Sequence, residues 1–164
     1  MSKIVIVVIM VAVLVVASIA IYLAMSGGAT YDWTTVDIEG ASSLQFKVSV
    51  DPTDEESVDY TYSVKNAGTS SLMMRIEMQS AGESFIYIIN GAQEKAWMYS
   101  GNEWVDFSNM YQTYWETWNQ AWLGYHDSLI DWTGVGDWTY STPNGDSVRI
   151  YDITVNPSLP DSMF

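Results

Sequence analysis

The chain has 164 residues, no cysteine, one histidine and 20 acidic residues against six basic ones, for a net charge of −14 at pH 7. That balance excludes a nucleic-acid backbone as partner, because phosphate binding needs the opposite sign. The lack of cysteine excludes a disulfide framework and a lipid-modified cysteine anchor, so a folded domain here must rest on a buried core.

In chain order, Ile4 to Met25 comes first, an apolar run with neither charge nor proline. A membrane-spanning helix needs roughly 20 apolar residues, and this run would reach roughly 33 Å as a helix, close to the hydrocarbon thickness of a bilayer. Lys3 precedes it and no basic residue follows until Lys47, which places the amino terminus inside and the remainder outside. A cleaved secretory signal is the other reading, since Ser18, Ala20 and Ala24 offer small residues near its end, but the apolar core of such signals is shorter. The expected organisation is a transmembrane anchor (or signal peptide) over 1–26, a linker and lead-in over 27–40, and one extracytoplasmic domain over 41–164 at the cell membrane.

Past the small-residue linker, Tyr31 to Gly40 reads either as a first strand or as an extended lead-in. Leu44, Phe46, Val48 and Val50 then alternate with polar residues, as do Val58, Tyr60, Tyr62 and Val64, and again Leu72, Met74, Ile76 and Met78. Period two with one apolar face predicts three half-buried strands. Ser84 to Asn90 and Lys95 to Ser100 are apolar on both faces, as for strands covered on both sides or lying mid-sheet, and Glu103 to Phe107 reads as another short strand. The turn residues Ala67-Gly68, Ala81-Gly82, Asn90-Gly91 and Gly101-Asn102 join them briefly, so neighbours should be antiparallel and the sheet a meander.

Between Ser108 and Ile130 the period changes to about 3.6. Tyr111, Trp115, Trp118, Trp122, Tyr125 and Leu129 fall on one face, with Gln112, Glu116, Asn119 and Gln120 elsewhere, which predicts an amphipathic helix capped by Ser108 or Asn109. Strands follow at Asp137 to Ser141 and Val148 to Val155, joined by Pro143-Asn144-Gly145-Asp146. The last alternation slips one place near Tyr151 and Asp152, which predicts a β-bulge. The fold class is therefore α+β: an N-terminal transmembrane helix, then an antiparallel β-meander packed on an aromatic-rich helix.

Enzyme chemistry finds little support, because covalent catalysis needs a nucleophile with a positioned base and His126 is the one imidazole. Zinc would need more His or Cys ligands. The acidic stretch Asp51, Asp54, Glu55, Glu56 and Asp59 lacks the glycine and ligand spacing of a calcium loop and reads as a solvated hairpin, and Asp131 and Asp137 lack the spacing of an acid and base pair. No cofactor, metal or nucleic-acid partner is expected, and no Asn-x-Ser/Thr glycosylation acceptor occurs. What remains is apolar surface. Phe46, Tyr60, Tyr62, Met74 and Met78 on the sheet and Trp115, Trp118 and Trp122 on the helix serve either as plain core or as the lining of a cavity for an acyl chain or similar guest.

The run from Arg75 to Ser108, with Asn90-Gly91, then Trp97 and Tyr99, then Trp104, resembles the LolA-like outer-membrane lipoprotein-sorting carriers and their archaeal relatives. The closing stretch, with Asn156, Pro157, Leu159, Pro160 and Phe164, is similar to that family's last strand and tail. The resemblance implies an incomplete antiparallel barrel wrapped on a helix, enclosing a hydrophobic cavity that holds a membrane lipid or acylated molecule. The competing class is a cell-surface assembly or filament subunit that self-associates through the apolar N-terminal helix, or an interaction domain whose acidic surface confers specificity.

Overall fold

A computed structural model describes residues 36–51, 58–80, 83–142 and 145–164. The apolar run Ile4 to Met25 and most of the acidic stretch lie outside these residues. Among the described residues no helix is long and apolar enough to cross a membrane.

Eight strands form one open sheet: β1 (Ser43–Asp51), β2 (Val58–Lys65), β3 (Met73–Ser80), β4 (Glu83–Asn90), β5 (Lys95–Ser100), β6 (Glu103–Asp106), β7 (Trp138–Ser141) and β8 (Ser147–Val155). Their spatial order is β6-β5-β4-β3-β2-β1-β8-β7, and every neighbouring pair is antiparallel. The first six strands form the meander that the short turns predict. The chain then leaves the sheet through a 3₁₀ turn (Ser108–Met110) and helix α1 (Tyr111–Leu129), and the hairpin β7–β8 adds onto β1 at the other side.

This path makes α1 a crossing element. Its 19 residues reach about 28 Å at the usual rise. The chain leaves the sheet at β6 and rejoins it at β7, seven inter-strand steps apart, about 34 Å at the usual spacing. The helix covers most of that distance, and the segments at its two ends cover the rest.

Alternation puts Phe46, Tyr62, Ile76, Tyr87 and Met98 in one cross-strand row on the face toward the helix, all buried. A second row on that face holds Ile150, Val48, Tyr60, Met78 and Phe85, extended by Trp138 on β7. In β4 and β5, where the sequence shows apolar residues on both faces, Phe85, Tyr87, Ile89, Ala96 and Met98 point inward. Ile86, Trp97 and Tyr99 are half-buried on the outer face. The opposite end of that outer face is covered by the C-terminal tail. Lys65 Nζ donates to the Leu159 carbonyl (2.8 Å) and also pairs with Asp161, Arg75 Nη1 reaches the Met163 carbonyl (3.3 Å), and Asn156 Oδ1 accepts the Ser42 N–H (2.8 Å).

Several local expectations are corrected. Neither Ser108 nor Asn109 caps α1 through its side chain: a 3₁₀ turn intervenes, and Asp106 Oδ1 accepts the Ser108 N–H at 2.8 Å. Hydrogen bonds from the Ser108 side chain and backbone hold the Asp106 carboxyl below the usual carboxylate range. The connection at Asn90-Gly91 is a four-residue turn, Gly91 to Glu94, with Glu94 left-handed (φ 53°). Gly101-Asn102, with both φ values positive, is the tight two-residue hairpin expected. Residues 36–41 form no strand, in keeping with the extended lead-in, and Ile38 and Ala41 are buried in the core.

The bulge is found where the alternation slips. Gln45 pairs with Thr154 but Lys47 with Tyr151, so β8 carries one extra residue, and Asp152 adopts φ 52°. Left-handed backbone costs an ordinary L-residue about 1–2 kcal/mol. Asp152→Gly is therefore expected to leave the denaturation midpoint nearly unchanged despite losing the exposed Lys47 ion pair, whereas Asp152→Val should lower stability by about 1–2 kcal/mol. Chemical denaturation of the full chain in detergent micelles measures both.

Candidate functional site

The aromatic interface between α1 and the sheet is where the predicted ligand-binding residues converge. Seven of the eight, Phe46, Tyr60, Tyr62, Met74, Met78, Trp118 and Trp122, are buried on the inner side, and Trp115 is half-buried. Helical spacing delivers the rings of α1 one strand after another. Tyr114 meets Tyr87 (centroids 6.2 Å), Trp118 sits between Tyr87 (4.9 Å) and Tyr62 (6.3 Å), and Tyr125 lies edge-on to Tyr62 (5.3 Å) and Phe46 (6.0 Å). Phe46 and Tyr62 stack at 5.4 Å, and Trp122 adds a stacked contact to Phe46 at 6.2 Å. These separations are those of directly packed rings.

The buried face of the helix differs from the stripe read in the sequence at its first turn. Tyr114 faces the core, while Tyr111 and Trp115 pair with each other (5.7 Å) at half-burial. Trp115 lies against Gly91, where an added Cβ would fall 3.0 Å from its ring and 2.8 Å from the Leu72 carbonyl. Small size at Gly91 is what lets the hairpin end tuck beneath the start of the helix. Ala121 and Gly124 complete the buried side and let the backbone approach the sheet.

Tyr87, Tyr114 and Trp138 are the site residues that sequence reasoning missed. In β4 every second residue is apolar on both faces, so alternation does not reveal which side Tyr87 takes. Pairing with Ile76 of β3 does. Tyr114 lies off the heptad-like stripe, and Trp138 sits in a strand of only four residues.

The electrostatics of this interface follow from dryness. Burial pushes the Tyr60 phenol up to about 12 and raises Tyr87, Tyr62 and Tyr125 as well, with neighbouring tyrosines adding to the shift of the last three. Two buried donors have no hydrogen-bond partner among the described residues: the Tyr60 hydroxyl and Trp138 Nε1. Both belong to the second inner row, separated along it by Val48 and Ile150.

Other chemistry-bearing groups lie elsewhere. His126 packs on Trp122 (5.2 Å), with Nε2 3.3 Å from the Ile38 carbonyl, a contact that needs the proton on that nitrogen, and Nδ1 3.4 Å from Asp127. It fixes the lead-in to the helix. Among the described residues no three His, Cys, Asp or Glu side chains are grouped to hold a metal. A depression of about 240 Å³ at the ends of β1 to β3 is lined by polar side chains, including Lys47, Asp59, Glu77 and Gln79, together with Tyr60, Met78 and Tyr151.

Comparison with known proteins returns nothing: no family model, curated protein or solved structure matches this chain. Among the described residues, fold and site define an open antiparallel sheet with one α-helix crossing an aromatic inner face.

Two outcomes follow from the packing. Trp118→Ala should cost about 3–5 kcal/mol in chemical denaturation, and the half-buried Trp115→Ala clearly less. The raised tyrosine values favour the neutral phenol in the folded state, so the stability contributed by Tyr60 is complete below the ordinary value of 10.0 and is lost as pH climbs through about 12, and the other buried tyrosines act in the same direction. Tyrosinate absorbance of the buried rings should therefore rise together with the loss of near-ultraviolet circular dichroism, and not ahead of it.

Proposed function

We propose that this chain is a membrane-tethered, non-catalytic extracytoplasmic domain that holds an apolar molecule between sheet and helix, in the manner of the lipoprotein carriers it resembles. On this reading the apolar run 4–25 is the anchor and the open sheet acts as the incomplete barrel. The observation that carries the proposal is the pair of buried donors, Tyr60 Oη and Trp138 Nε1, on one inner row otherwise made of Val48, Ile150, Met78 and Phe85. A buried donor without a partner costs about 1–3 kcal/mol, which a guest carrying an acceptor would recover. An indole N–H only donates, so the guest's polar end must accept.

The same row favours a neutral acceptor. Lys47, Lys65, Arg75 and Arg149 all occupy outward positions of their strands, where they pair with Asp152, Asp161, Glu77 and Asp137. A carboxylate in the inner row would be buried without a cation, which is costly. An ester or amide carbonyl attached to acyl chains fits both conditions. A tethered carrier of this kind serves molecules at its own membrane surface and does not shuttle between membranes.

The test is photo-cross-linking of the full chain in lipid nanodiscs with a diazirine-bearing acyl ester, followed by peptide mapping. Label on the peptides that carry Val48, Tyr60 and Trp138, reduced several-fold by Tyr60→Phe, is the expected result. Label confined to 4–25 would overturn the proposal and leave the aromatic interface as plain core.

A further inference from the structure

Among the described residues, strand β6 ends the sheet on one side, and all four of its residues are exposed. Trp104 is 50% exposed and Val105 41%, while Met110 just beyond is 44% exposed. Edge strands usually avoid such apolar exposure, because their open backbone groups already invite another strand. In an antiparallel ladder the residues alternate between bonding to the neighbour and pointing away from it. Phe107 N–H donates to the Ala96 carbonyl at 2.8 Å, so by the register the backbone of Val105 and Glu103 faces β5, and that of Trp104 and Asp106 faces outward.

Charge selects what can pair there. The strand reads Glu-Trp-Val-Asp, with a carboxylate at each end and apolar side chains between. A second copy of this chain would bring the same net charge of −14 and the same two carboxylates to the edge, and that self-repulsion disfavours pairing between copies. A segment with basic residues at both ends of an apolar pair would instead put a cation opposite each carboxylate. This chain has no such segment to offer. Its six basic residues stand at 3, 47, 65, 75, 95 and 149, and no two are three apart.

We propose that the β6 edge docks an extended segment of a different protein, reading basic, apolar, apolar, basic, which adds as a ninth strand antiparallel to Glu103–Asp106. Trp104, resting on Tyr99 with ring centroids 5.3 Å apart, forms the floor for one apolar side chain of that segment. The opposite face of the added strand continues the inner surface beside Val105. This surface lies across the sheet from Tyr60 and Trp138, so it stands independently of the lipid reading.

The test uses the full chain in nanodiscs and two short peptides, one carrying Lys-Val-Val-Lys between threonines and one carrying Glu-Val-Val-Glu. The lysine peptide is expected to protect the amides of Trp104 and Asp106 from hydrogen exchange and to shift indole emission to shorter wavelength. Glu103→Gln combined with Asp106→Asn should weaken it about two- to thirty-fold, the range for two cross-strand charge pairs. Asparagine still accepts the Ser108 N–H, so α1 should stay intact in that variant, which its circular dichroism checks. Equal binding of the glutamate peptide, or an unprotected β6, would overturn the proposal, as would self-association through β6 that the charge-neutral variant leaves unchanged.

Discussion

The structure depends on one crossing. A helix laid across an antiparallel sheet meets a new strand about every turn, so each of its core positions must fit a different strand's side chain. Here the fit is made with rings: Tyr114 and Trp118 on Tyr87, Trp118 and Tyr125 on Tyr62, Tyr125 and Trp122 on Phe46. Large flat side chains span the gap between a helix and a twisted sheet with little backbone adjustment and bury much apolar area per residue. Small residues at Ala121, Gly124 and Gly91 let the layers close to contact. Without disulfides, this interface holds the helix to the meander, while strand pairing holds the C-terminal hairpin to β1.

The same crossing separates the surfaces of the domain by chemistry. The inner side is apolar, with phenols kept neutral by burial. The outer side collects the strand cations, with Lys47, Lys65, Arg75 and Arg149 each paired with a carboxylate and Lys95 over the Trp97 ring, and lends Lys65 and Arg75 to the tail. Because acidic residues greatly outnumber basic ones, carboxylates remain at the sheet's margins once these pairs are made, Glu103 on β6 among them. The apolar interior and the acidic margin of the sheet are thus consequences of one distribution of charge.

Much of the fold was legible beforehand because its signals are local. Alternation in Leu44 to Val50 or Leu72 to Met78 needs no partner to be recognised, and neither does the change of period at Ser108. The bulge at Asp152 was visible for the same reason, as a slip in a period-two pattern. Where both faces of a segment are apolar, as in Ser84 to Asn90, alternation falls silent and only the register with β3 assigns Tyr87 to the core. The helix start shows the complementary failure. Ser108 has the chemistry of a cap, but Asp106 at the end of β6 bonds its N–H first, and a 3₁₀ turn then rotates Tyr114, not Tyr111 or Trp115, toward the sheet.

The sequence by itself determined the strands, the helix, the acidic balance and the eight large side chains expected at the interface, since periodicity and composition are properties of single segments. Tertiary structure alone decided that the closing hairpin joins β1, that Tyr87 and Tyr114 belong to the aromatic layer, that Tyr60 and Trp138 share a row, and that β6 is an edge among the described strands. These are relations between segments far apart in the chain. They are fixed by strand pairing and by the path of the crossing helix, and no local pattern encodes either.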